Sequence, residues 1–197
     1  ALKAFGIQAK DSMEIIDKYN EVSNNYAVTS GDIGRAIADA GAALAASGNS
    51  LDEAIAMFTA MNEIIQDGSK SSTALRTITT RIRNTAGQLE LMGEDAEGAA
   101  ESVTKLQQQI KNISGVDIML DQDTFKSTFQ IMQELSKVWD KLTDKNRADI
   151  IRLLGGTRQA STFSALMKNF ATAEKVVETS LKSSGSALRE NEKYLDS

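Results

Sequence analysis

Not one of the 197 residues is proline, although average sequences carry about 5%. Proline is the strongest helix breaker, because it lacks an amide proton and its ring collides with the preceding turn. A chain without it can run long helices, and it must end them by weaker means: glycine, side-chain caps and short polar turns. Histidine and cysteine are absent as well. Without cysteine there is no disulfide, no thiolate nucleophile and no sulfur-ligated metal site. Without histidine the usual neutral-pH general base and the commonest metal ligand are both missing.

Apolar residues recur at helical spacing. Ile33, Ile37, Ala40 and Leu44 step by four, three and four, which is one helix face. Thr29 or Ser30 stands where that helix needs an N-cap. Ser47-Gly48-Asn49-Ser50 then supplies a stop and a fresh cap, and Ser50 with Glu53 matches a capping box ahead of Leu51, Ile55 and Phe58. The pattern predicts an antiparallel hairpin with Ile33, Ile37 and Leu44 facing Leu51, Ile55 and Phe58. Further along, Leu106 and Ile110 lie on a helix that stops at Ser114-Gly115, and Val116 to Leu120 reads as a buried connector. Asp121 or Asp123 is expected to cap a long helix through Phe125, Phe129, Met132 and Trp139 to Leu142. A helix ending at Gly155-Gly156 follows, then one running from Phe163 through Phe170 to Leu181. Ser183 to Ser186 forms a last hinge before a charged helix with Leu188, Tyr194 and Leu195.

The expected class is all-α, a multi-helix bundle of antiparallel hairpins with long helices continuing beyond the fragment. Residues 1–24 read as a helical lead-in, 25–185 as a core module and 186–197 as the start of a further helix. Alanine is concentrated in the first 100 residues and missing between Glu101 and Arg147, where aromatics take over. That shift suggests two differently packed layers changing near 84–115. The core is expected to consist of the two hairpin rows together with Leu106, Ile110, Phe125, Phe129, Met132, Trp139, Phe163 and Phe170.

Lys and Arg number 22 against 27 Asp and Glu, for a net charge of −5, whereas a nucleic-acid surface normally needs a basic excess. The one dense basic run holds Arg76, Arg81 and Arg83. It is followed by a glycine-broken interval, 84–103, whose only charges are Glu90, Glu94, Asp95, Glu97 and Glu101. This interval reads as a solvated connection rather than a cation site. Asp117, Asp121 and Asp123 lack the central glycine and closing glutamate of a calcium loop. Gly155-Gly156-Thr157-Arg158 reads as a helix-ending turn rather than a phosphate cradle. Pairs such as Glu94 with Asp95, or Glu190 with Glu192, are the remaining material for a carboxylate-based hydrolase of cell wall, a remote alternative. No catalytic residue, cofactor or metal ligand is expected, so the chain reads as a non-enzyme. It shows no signal-peptide pattern at Ala1, and its most apolar window, 33–46, is interrupted by Arg35 and Asp39. Both ends are expected to be cuts within a longer polypeptide.

Five segments in order carry a family resemblance: "NEVSNNYAVTSGDIGRAI" from Asn20, "AALAASGNSLDEAIAMFTAMNEIIQD" from Ala42, "TALRTITTRIRNT" from Thr73, "GVDIMLDQDTFKSTFQIMQELSKVWDKL" from Gly115 and "SGSALRENEKYLDS" from Ser184. Together they resemble the conserved region of tail tape-measure proteins from phages and prophages of Gram-positive bacteria. The stretch "LLGGTRQASTFSAL" is similar to the same family. The resemblance implies a virion protein of the tail lumen, made in the host cytoplasm, that sets tail length during assembly and leaves ahead of the DNA. It implies contacts with further copies of itself, the tail tube protein, assembly chaperones and tail-tip or baseplate proteins. It implies no specific nucleic acid and no membrane contact from this fragment, although family members carry transmembrane segments elsewhere. A helical interaction module that docks chaperone or tail-tip proteins is the alternative reading.

Overall fold

Side-chain caps start most of the helices in the computed structural model, which describes residues 1–195. Thr29, Ser50, Asp67, Thr85, Ser102, Ser127 and Thr143 each accept from the amide three residues on, satisfying a donor that the first helical turn leaves free. Eleven α-helices result among the described residues: α1 (Ser12–Asn25), α2 (Ser30–Ala46), α3 (Leu51–Ile65), α4 (Gly68–Arg83), α5 (Ala86–Leu91), α6 (Val103–Ser114), α7 (Thr128–Val138), α8 (Asp144–Leu154), α9 (Ala160–Lys168), α10 (Phe170–Leu181) and α11 (Ser186–Leu195). The class is all-α, with an isolated antiparallel bridge between Met119 and Phe125. The end of the expected further helix, 196–197, lies outside the described residues.

α3 is the axis of the fold. From Ala54 to Met61 every side chain is buried, as expected of a helix apolar around its whole circumference. It packs against α10 most extensively, and also against α4, α9, α2 and α7. α2 turns back on α3 through the four-residue connection 47–50, as the capping pattern predicts, yet its broadest contact is with α4. Ala36 and Ala40 are buried on α2, and small side chains let two backbones approach closely. α1 lies on α10, and α11 lies on α1. One apolar cluster runs from Ile15 to Val176.

The expected core residues fall into two groups. Ile33, Ile37, Leu44, Leu51, Ile55, Phe58, Leu106, Ile110, Met132, Trp139, Phe163 and Phe170 are buried. Phe125 and Phe129 are half-buried against the cluster. Phe129 tilts onto Phe170 at a ring separation of 5.0 Å, and Trp139 onto Phe163 at 5.6 Å, geometries that favour aromatic pairs.

Two expected helices are corrected. The first does not begin at Asp121 or Asp123. Asp121 accepts instead from the amides of Asp123 and Thr124, both at 2.8 Å, a local turn that competes with helix initiation. Phe125 therefore belongs to a small hairpin, with the Leu120 amide donating to Thr124 and the Lys126 amide to Ile118. The helix starts only after the Ser127 cap. The second, from Phe163 to Leu181, is two helices. They break at Asn169, whose side-chain amide donates across to the Ala60 carbonyl at 2.9 Å and to Glu63 at 3.1 Å.

Candidate functional site

The three arginines of the basic run all turn inward. Arg76 pairs with Asp39 and, at 3.4 Å, with Glu94. Arg83 donates to the carbonyls of Ala46 and Ser47 and lies 4.9 Å above the Phe125 ring. Arg81 is only 1% exposed. Its guanidinium donates to the carbonyls of Asp95 and Glu97, both at 2.8 Å, and of Arg152 at 3.2 Å. Burial pulls its proton affinity below the ordinary arginine value, while the nearby Asp95 and Glu97 charges oppose that shift.

This cage changes the reading of the acidic interval. Far from being only a solvated connection, it forms α5 and a strap that crosses the arginine. Glu94 and Asp95 act as tethers: Glu94 through Arg76, Asp95 through its own carbonyl and through a carboxylate that accepts from the Glu97 amide at 3.0 Å. Gly156 sits over the guanidinium at φ +73° and ψ 163°, a conformation nearly restricted to glycine. A β-carbon there would lie 2.8 Å from Arg81 Nη2. Gly155-Gly156 is thus a helix-ending turn shaped by an arginine beneath it.

The other sequence candidates are likewise spread among structural contacts. Asp117 accepts from the Met119 amide and the Gln107 side chain, which hold its carboxyl below the usual range. Glu190 accepts from Asn24 at 3.4 Å, and Glu192 is exposed. Among the described residues no group of three or more acidic side chains is placed to hold a metal ion. No helix among them is long and apolar enough to cross a membrane.

One buried polar cluster escaped sequence reasoning altogether. Lys18 Nζ lies 2.7 Å from Asp52 Oδ1, and the Ser180 hydroxyl donates to the same oxygen. The cluster ties α1, α3 and α10 together, and residues separated by 34 and 128 positions leave no local signal of it. The Ser180 hydroxyl donates its hydrogen bond to the carboxylate that Lys18 also holds, so the cluster is a buried ion pair whose hydroxyl is satisfied.

The outer surface is where apolar groups remain uncovered. Leu91, 90% exposed, and its neighbour Met92 form the tip of the strap. Buried Leu89 precedes that tip, and the Arg81 contacts at Asp95 and Glu97 follow it. Leu181 at the end of α10 and Leu188 and Leu195 on α11 are exposed as well.

The family model described as phage-related minor tail protein matches residues 1–156. No solved structure matches the chain.

Proposed function

The chain belongs to the phage-related minor tail protein family, and from that premise we propose that this structural tail protein is a module of a tape measure. It helps set tail length during assembly and leaves ahead of the DNA on infection. The family match carries the reading, together with the five ordered segments and the all-α fold. Residues 25–185 act as the core module, 1–24 lead into it and 186–197 begin a further helix. Copies of the chain meet one another and the tube protein in the lumen, after assembly in the host cytoplasm with chaperone and tail-tip proteins. The net charge of −5 suits a lumen shared with DNA, because like charge suppresses adhesion.

A continuous helix advances about 1.5 Å per residue. Deleting residues 30–65 in frame from the parent protein is expected to shorten assembled tails by roughly 50 Å if the segment is laid out as helix in the ruler. Electron microscopy of the tails measures this, and unchanged length overturns a ruler role for the module.

The exposed Leu91–Met92 tip favours a second reading, in which the module docks an assembly chaperone or a tail-tip protein. Leu91→Asp is expected to abolish binding to the purified partner while leaving the helical content intact. Absence of binding by the unaltered module removes this reading.

A further inference from the structure

α11 is attached to the rest of the molecule in an unusual way. Its first turn is held by Asp17 of α1, whose two carboxylate oxygens accept the amides of Gly185 and Ala187, both at 2.9 Å. Asn20 donates to the Ser186 hydroxyl at 2.8 Å, and that hydroxyl donates to Glu21 at 2.6 Å. Beyond these, Arg189 reaches Glu21 at 3.7 Å and Asn24 reaches Glu190 at 3.4 Å. Every one of these contacts is polar. The helix's own leucines face the other way: Leu188 is 60% exposed and Leu195 is 78% exposed, and Ser186 is the one buried residue of the element.

An ordinary amphipathic helix docks by its apolar face, and lifting it exposes core. Lifting α11 exposes Asp17, Asn20, Glu21 and Asn24, which water solvates well, while α1 keeps its own packing on α10. The hinge is in place: Gly185 stands at φ +77° between α10 and α11, where a glycine can change its backbone angles without a steric penalty. Exposed ion pairs contribute little to holding such a seam shut, whereas hydrogen bonds from two free amides to a nearly buried carboxylate contribute more.

We propose that α11 is an arm latched to α1 by Asp17, which swings open about Gly185 while the ten helices beneath it stay folded. Hydrogen exchange read by mass spectrometry tests this. In the unaltered protein the α11 amides exchange much faster than those of α3, by opening that leaves α3 protected. Asp17→Asn replaces one acceptor by a donor facing an amide, and it is expected to speed α11 exchange by about tenfold or more with α3 unchanged. Ser186→Ala weakens the same latch from the arm's side and is expected to act in the same direction. Leu188→Ala, altering a side chain turned to solvent, leaves α11 exchange as it was. The proposal is overturned if α11 and α3 exchange together as one unit, if Asp17→Asn and Ser186→Ala both leave α11 exchange unaltered, or if they accelerate α3 as much as α11.

Discussion

Arg81 is the largest fully buried side chain among the described residues, and its surroundings explain why a charge is tolerated there. Three carbonyls receive it, and partial negative charge from carbonyl oxygens compensates for lost water. Arg81→Ala is expected to destabilise the fold by about 2–4 kcal/mol in denaturant titration, since those carbonyls lose their donors and a cavity opens. Gly156→Ala is expected to cost at least about 1–3 kcal/mol from backbone strain alone. The clash with Arg81 adds to that cost, so the double variant should be less unstable than the sum of the singles. Strict additivity in that cycle contradicts the close packing of glycine on guanidinium. Asp117 and Asp121 bear on pH. Amides of Met119 and Asp123, foremost among their partners, hold both carboxyls below the ordinary range. The native values are thus lower than the unfolded ones, so the stabilisation is complete above an ordinary carboxylate value of about 4 and is lost as pH falls through the depressed native values. Amide chemical shifts of Met119, Asp123 and Thr124 should report that loss on acidification. Unchanged shifts down to pH values well below the ordinary carboxylate range mean the turn does not depend on the charge.

At the scale of elements, periodicity and caps located the helices where local chemistry was unopposed. Ser50 and Glu53 form the reciprocal capping box that their spacing predicts. Ser50→Ala is expected to cost about 1 kcal/mol, measured as a shift in the denaturation midpoint. No change would mean that the packing of α3 alone sets its start. The two misplaced boundaries differ in cause, one being local and the other a contact between distant helices. Asp121 is a good cap by residue type, but its own following amides capture it. Asn169 is unremarkable within an apolar stripe until α3 lies beside it to accept its side chain. The acidic interval 84–103 reads as solvent-facing by composition, and a backbone has carbonyls to offer a buried arginine whatever its side chains are.

Across the whole molecule, α3 gathers the helices and the Lys18–Asp52–Ser180 cluster ties three of them. Lys18→Ala strands the Asp52 carboxylate and is expected to destabilise the protein by about 3–5 kcal/mol, whereas the paired change Lys18→Met with Asp52→Leu should recover much of that loss. Equal destabilisation by the single and double variants in thermal melts would show that the cluster matters for more than its buried charge. Phe58→Ala, at the centre of α3, should cost about 3–5 kcal/mol by the same measurement, because a large cavity opens among neighbours that cannot close it. The all-α class, the first hairpin and the buried rows along α2 and α3 were determined by the sequence itself, because helix periodicity, caps and glycine stops act over a few residues. The caged arginine, the tie from Lys18 to Ser180, the division at Asn169 and the polar docking of α11 were decided by tertiary structure. In each of them a polar group meets its partner only once separate segments of the chain have packed together, and burial then makes that meeting obligatory.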